Sequence, residues 1–404
     1  MKTFACLVAL ATLTLGAAAP AQAEPEPPIT IDSHVDIPFT YMAEPRFDVG
    51  KDTRLLVDLG KMERGGLNAA FFVVWVPQHQ LDAAGYAKAV QQASQKYAGI
   101  GRMLMMYPDR IRLATTPEQL MANHQAGLLS AVIEIENAYS LGHDLHRLDA
   151  AFDRGARSVG LVHVGNNDLC TSSQPATEHG EPAMNSTGDT GMSDFGRAVV
   201  QRANRLGMLV DISHASDHCV RDALKASATP LIASHSGARG VLDHPRNLPD
   251  DLLRAIAARG GVVQAVAYKE FLKHDPARAA AEKKLQAAIA KQNGDAEYDS
   301  DKDDYLPAMA AGMAKIQKQY PLATLDDYMN QIQHMVKVAG IDHVGLASDF
   351  DGGGGITGWK DASETRNVTA ALRHAGFSDA AIAKLWGGNL LRVWGEVERH
   401  AAKP

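Results

Sequence analysis

Residues 128–136 read Leu-Leu-Ser-Ala-Val-Ile-Glu-Ile-Glu, with Gly127 before them and Asn137 after. The run is too short for a typical helix and too continuously apolar for a strand with one wet face. It predicts a parallel strand covered on both sides. Seven further β-like runs lie to either side: Thr30–Asp36, Leu67–Val76, Arg157–Val164, Met208–His214, Leu231–Ser236, Gly261–Tyr268 and His343–Asp349. Each is followed by a loop and most by a helical pattern. In Asp194–Leu206, for example, Ser193 or Asp194 can cap the start and Gly207 can stop the helix. Eight strand-plus-helix units predict a single α/β domain over residues 24–404, a (β/α)8 TIM-type barrel rather than an open doubly wound sheet. No internal repeat or linker divides it.

Composition narrows the function classes. The 404 residues carry 40 basic and 47 acidic side chains, a formal charge of −7, with 46% hydrophobic and 22% charged residues. Such a chain can bury a sizeable core and is not intrinsically disordered. Without Lys/Arg runs it is poorly suited to phosphate backbones, so nucleic acid is not expected. Three cysteines exclude a disulfide framework and a thiolate zinc site.

The N-terminus reads as an export signal. Lys2 precedes an apolar stretch from Phe4 to Ala19, and Ala21-Gln22-Ala23 offers small residues for cleavage. Residues 1–23 would then be removed, taking Cys6 with them. The mature chain would carry −8 (the −7 less the +1 of Lys2) and be periplasmic or secreted. Past the signal no apolar run is long enough to cross a bilayer. Cys170 and Cys219 remain, and free thiols are expected for both.

Two insertions interrupt the barrel pattern. Gly165–Ser193 is a long polar, Gly-rich loop after the fourth strand, placed to cover an active face. Asp275–Gly340, after the seventh, reads as two or more helices around an acidic patch at Asp299–Asp304. That patch mimics the opening of a calcium loop. However, Asp304 stands where Gly is needed and Ala310 where Glu is needed, so it is read as a solvated loop.

The ionisable residues cluster at strand ends. His34 and Asp36 are two apart and share a face. Glu136 ends the third strand, His163 the fourth, His214 the fifth, His235 the sixth and Asp349 the eighth. Active groups of this fold collect at the carboxyl ends of strands, where a barrel would bring all seven together. Imidazoles and carboxylates without thiolates suit zinc, with manganese, iron or cobalt also compatible. Two cations can activate water and polarise a carbonyl together, so the pattern points to metal-assisted hydrolysis of an amide or ester. Two choices stay open at this level. Glu134 shares a face with Glu136, and Asp351 with Asp349. The run Gly352–Gly355 lacks the Lys-Ser/Thr of a phosphate loop and reads as a flexible rim. His143 and His146 lack a partner carboxylate pattern and read as surface or supporting histidines.

The sequence resembles the membrane (renal) dipeptidase family, in its secreted or periplasmic bacterial branch. The resemblance is carried by Ile31-Asp32-Ser33-His34-Val35-Asp36, Ile135-Glu136-Asn137-Ala138-Tyr139-Ser140-Leu141, Asp211-Ile212-Ser213-His214 and Ser234-His235-Ser236. Arg246-Asn247-Leu248-Pro249-Asp250-Asp251, Ser348-Asp349-Phe350-Asp351-Gly352 and Gly388-Asn389-Leu390-Leu391-Arg392-Val393 extend it over nearly the whole mature chain. It implies a binuclear-zinc dipeptidase on an amidohydrolase-like barrel. His34 and Asp36 would hold one zinc, His214 and His235 the other, and Glu136 would bridge them. A bridging hydroxide would attack the peptide carbonyl, Asp349 would shuttle the proton and His163 would contact the substrate and its oxyanion. Arg246 would grip the substrate's terminal carboxylate. The implied substrates are L-Xaa-L-Xaa dipeptides, extending to a D-residue in second place. The family pattern also admits a homodimer, and no membrane anchor is expected. Gly165 stands where mammalian members have a cysteine, so their disulfides are not transferred. The rival readings are a two-metal hydrolase of N-acyl amino acids or lactones, which has no need of Arg246, and a non-catalytic periplasmic zinc- or peptide-binding protein.

Overall fold

A computed structural model describes residues 28–175, 188–298 and 302–401. The export signal at 1–23, the middle of the Gly165–Ser193 loop and the first half of the acidic patch (299–301) fall outside the described residues. Eight parallel strands follow one another around a barrel: β1 (Ile31–Val35), β2 (Ala69–Trp75), β3 (Leu129–Glu136), β4 (Ala156–Gly160), β5 (Leu209–Asp211), β6 (Ile232–Ala238), β7 (Val262–Val266) and β8 (Val344–Ala347). Just past β1 and β8, a parallel bridge joins Val35 to Phe350 and the Asp36 amide donates to the Phe350 carbonyl at 2.9 Å. The ring therefore closes at its carboxyl end. Every residue of β3 is buried, as an apolar run covered by helices on its outer face requires.

The two ends of the barrel differ in chemistry. Near the amino ends, Ile31, Phe71, Val132, Leu209, Ile232 and Val262 form an apolar cluster with Leu390, Val393, Trp394 and Val397 of the helix Asn389–His400. That helix seals the floor. At the carboxyl ends the strands run into loops that carry the ionisable residues.

The helices begin and stop where local chemistry allows. The Ser193 hydroxyl accepts from the Gly196 amide at the start of the helix Asp194–Leu206, and Gly207 ends it in a left-handed conformation. After β7 come helices Pro276–Gln292, Leu306–Gln319 and Leu325–Ala339. Only the first two form an insertion. The third belongs to the barrel wall: its Tyr328 hydroxyl donates to the Ala265 carbonyl of β7 at 2.7 Å.

Cys170 and Cys219 form a disulfide, which corrects the expectation of free thiols. The loop after β4 folds back over the helix Asp217–Ala226, and this brings the two Cα atoms to 5.9 Å across 49 residues of sequence. That approach is a property of the folded loop and cannot be read from spacing. Both cysteines are fully buried.

Candidate metal centre

A cavity of about 710 Å³ opens at the carboxyl end of the barrel, lined among others by Asp36, Glu136, His163, His214, His235 and Asp349. Each arrives from a different strand end, with Asp36 directly following β1. His34, Glu136 and His235 lie on strands or at their last residue; His163, His214 and Asp349 lie two or three residues further on. His214 and Asp349 take positive φ values of 66° and 58°. Such angles are unfavourable for residues with a side chain, and this strain sits where the chain must turn sharply away from the strand while the side chain stays over the cavity.

Glu136 is the hinge of the arrangement. Its Oε2 lies 3.4 Å from His34 Nε2, and its Oε1 lies 3.2 Å from His214 Nε2 and 3.6 Å from His235 Nε2. One carboxylate thus faces two groups of ligand atoms, one through each oxygen. On the first side, Asp36 Oδ2 is 3.6 Å from His34 Nε2, and Asp349 can offer an oxygen to the same group. On the second, the Nε2 atoms of His214 and His235 are 2.9 Å apart, and His163 Nε2 is 3.9 Å from Glu136 Oε1. Imidazole and carboxylate atoms converging this closely, with no thiolate, fit a borderline divalent cation such as zinc.

The supporting contacts differ between Glu134 and Glu136 and between Asp351 and Asp349. Glu134 faces away from the cation groups and takes His34 Nδ1 at 3.2 Å, while the Ser158 hydroxyl donates to its other oxygen at 3.0 Å. It orients the imidazole, as carboxylates behind metal-ligating histidines commonly do. Asp351 accepts the backbone amides of Leu56 and Val57 at 2.9–3.2 Å, so it anchors the segment before the first barrel helix rather than the glycine turn. Gly352 and Gly353 of the glycine run are exposed, yet they leave no room for a side chain. A Cβ on Gly352 would fall 2.3 Å from Asp36 Oδ2 and 2.4 Å from Asp349 Oδ1. Behind the second side, the Ser234 hydroxyl lies 2.9 Å from His235 Nδ1 and donates to Asp211 at 2.7 Å. His143 is half-exposed, 2.7 Å from Asp168 and stacked on Phe195; His146 is on the surface.

Electrostatics distinguish the two sides. Burial disfavours the charged form of His34, but Glu136, Asp36 and Glu134 outweigh it and hold its pKa well above the ordinary value. Burial, joined by repulsion from Arg246 and neighbouring imidazoles, holds His214 and His235 well below it and hence neutral. Burial also pushes Glu136 up, yet attraction to His34 and His163 and hydrogen bonds from His214 and His34 keep it well below the usual carboxylate range. Asp349 is driven well above that range by burial and by repulsion from Asp36 and Glu136. His163 is lowered, chiefly by burial.

Arg246 lies next to the second side but is almost wholly buried. Its guanidinium packs on the Phe271 ring at 5.2 Å and donates to the His235 carbonyl at 2.9 Å; its Nε has no partner among the described residues. Burial lowers its pKa to about 10, which leaves it charged at neutral pH.

Lys96 was not singled out by any motif. It projects from the helix Ala83–Met106 into the cavity wall, 3.9 Å from Asp36 Oδ1. A signal was present: Ala89, Ala93, Lys96, Ile100 and Met103 recur at alternating four- and three-residue spacing, so a lysine interrupts an apolar face.

A family model described as membrane dipeptidase, peptidase family M19, matches residues 23–404. The chain is similar to the probable dipeptidase PvdM from Pseudomonas aeruginosa, with 33% identity, a TM-score of 0.79 and coverage of 93% of this chain and 96% of that one. It is 28% identical to dipeptidase tcpJ from Claviceps purpurea over 375 residues, 90% of this chain and 74% of the relative. A metallo peptidase from Rhodobacter sphaeroides, solved with a phosphinate mimic of L-Ala-D-Ala, shares the fold at 24% identity and a TM-score of 0.69, covering 92% of this chain and all of that one. No described helix is long and apolar enough to cross a membrane.

Proposed function

The chain belongs to the membrane dipeptidase family, peptidase family M19, and is a metallo-dipeptidase of that family; from that premise we propose that it is a zinc-dependent enzyme hydrolysing free dipeptides at the cavity around Glu136. The observation that carries this reading is the split of the Glu136 carboxylate, one oxygen toward His34 and the other toward His214 and His235. In this reading His34 and Asp36 hold one cation, His214 and His235 a second, and Glu136 both. Two bound cations would supply a nucleophilic water at neutral pH and polarise the scissile carbonyl.

The protein's own groups do the rest. Asp349 groups with His34 and Asp36, where it would take the proton of an attacking water. Burial and two neighbouring carboxylates lift its pKa, so it ionises when positive charge offsets them. It then returns the proton to the departing amine as a general acid. His163 is neutral and only partly exposed, and serves as a hydrogen-bond donor to the oxygen that gains charge in the transition state. Arg246 keeps an unpartnered buried Nε, and a guanidinium offers a carboxylate a paired set of donors. A substrate ending one residue past the scissile bond would meet that charge; a longer peptide would not. The working unit is residues 24–404, a single domain exported to the periplasm or beyond after loss of 1–23.

Metal analysis coupled to hydrolysis of L-L and L-D dipeptide panels tests the reading. Chelation should abolish turnover and zinc should restore it. Turnover that survives complete metal removal would overturn the proposal, and equal turnover of a dipeptide and its C-terminal amide would overturn the role of Arg246.

A further inference from the structure

The buried face of the helix Ala83–Met106 is apolar except at Lys96, whose side chain is 2% exposed. The Lys96 Nζ is boxed by two rings, 5.0 Å from the Phe39 centroid and 5.1 Å from that of Trp75. Its nearest carboxylate oxygen is Asp36 Oδ1 at 3.9 Å, whereas Asp36 Oδ2 is turned toward His34 Nε2. The two oxygens of one carboxylate therefore answer to different charges. Burying an ammonium costs several kcal/mol in general, and a methionine of similar length would fill the same box without that cost. Packing alone does not account for a lysine here.

We infer that Lys96 is a positioning residue that holds Asp36 Oδ1 away from the metal, so that Asp36 ligates through Oδ2 alone. A carboxylate free to swing can close both oxygens on a cation and occupy the position that water or substrate needs. A fixed positive charge beside one oxygen opposes that closure, and the aromatic box fixes the charge in place. The inference rests on the reading of Asp36 as a metal ligand.

Lys96→Met removes the charge and keeps the length; Lys96→Arg keeps the charge. Metal-free protein of each variant is titrated with Co²⁺ and followed by calorimetry and visible absorption. Lys96→Met is expected to bind at least one Co²⁺ about tenfold more tightly, because a repelling charge is gone and a second oxygen becomes available. Its visible bands should weaken as the coordination number rises. Turnover should fall about tenfold in kcat with little change in KM, the pattern of an interaction felt in the transition state. Thermal unfolding of the metal-free variant should occur at the same temperature or higher, which a merely structural lysine would not give. Lys96→Arg should restore the Co²⁺ spectrum toward that of the natural protein. Unchanged Co²⁺ affinity and spectrum in Lys96→Met would overturn the inference, as would a loss of stability alone. If Lys96→Met fails to fold, Lys96→Gln is read by the same criteria. If the natural protein itself binds no Co²⁺, the ligand assignment falls, and this inference with it.

Discussion

The two sides of the Glu136 carboxylate are built from different materials. On the β1 side, His34 is surrounded by Asp36, Glu134 and Glu136, and Lys96 stands behind Asp36. On the β5–β6 side, the Ser234 hydroxyl stands behind His235, Arg246 donates to the His235 backbone carbonyl, and among the described residues the carboxylate in direct reach of His214, His235 and His163 is Glu136. Charge dominates the first side and neutral nitrogen the second. Two cations held here would not be equivalent, because anionic oxygens bind them by field and imidazoles by lone pairs. The contrast also explains why one carboxylate is shared: without Glu136 the second side would present no negative charge to a cation.

Breaking both sides at once should give the largest effect. Glu136→Gln keeps the shape and removes the shared charge; we expect kcat/KM to fall by a factor of about 10³ or more, with metal content dropping at both positions, measured by elemental analysis beside steady-state kinetics. Breaking the sides separately comes next. His34→Ala and His214→Ala should each retain about one cation per chain, and equal loss of both cations in either variant would contradict two distinct positions. A finer comparison is between the supporting groups. Glu134→Gln, which weakens the carboxylate behind His34, should lower cation affinity by about 10–100-fold, and Ser234→Ala behind His235 by clearly less. A reversed order, read by competition with a chelator, would refute the charge-against-nitrogen distinction.

Two stability measurements sharpen the same contrast away from the ligands. The disulfide braces the loop on the second side, and Cys170→Ser with Cys219→Ser should cost about 3–4 kcal/mol in denaturant unfolding for a loop of that length. On the first side, Asp58 caps the helix Leu59–Gly65 and takes hydrogen bonds from Thr53 and Lys61. Burial raises its pKa, but those bonds outweigh it and hold the carboxyl below its ordinary value. Its stabilisation is therefore present above the unfolded pKa of about 3.9 and disappears as pH falls through the lower folded value. Asp58→Asn keeps a capping oxygen but removes the charge facing Lys61 and the helix N-terminus; it should lower stability by about 1 kcal/mol at pH 7, and the gap should close at strongly acid pH. A gap that widens on acidification would show the sign to be wrong.

The strands were legible because their apolar runs are continuous and bounded, as in Leu129–Glu136. Their ends were less so. The runs read as Met208–His214 and His343–Asp349 stop being strand at Asp211 and Ala347, since the chain bends into left-handed turns that hydropathy does not register. The gathering of His34, Asp36, Glu136, His163, His214, His235 and Asp349 around one cavity followed from the barrel rule alone. What stayed hidden depends on distance rather than pattern. The Cys170–Cys219 approach, the reach of Asp351 to Leu56 and the aromatic box around Lys96 each join segments whose separation only the folded loops define.

The helix that plugs the barrel floor spans Asn389–His400, close to the end of the chain. Synthesis runs from the other direction, so Phe71, Leu209 and Ile232 all emerge from the ribosome before the side chains of Trp394 and Val397 that cover them. A chain whose Asn389–His400 segment has not yet docked is thus an open-bottomed cylinder. Removal of Asn389–His400, leaving His34, Glu136, His214 and His235 intact, would still expose this apolar floor and favour aggregation or proteolysis.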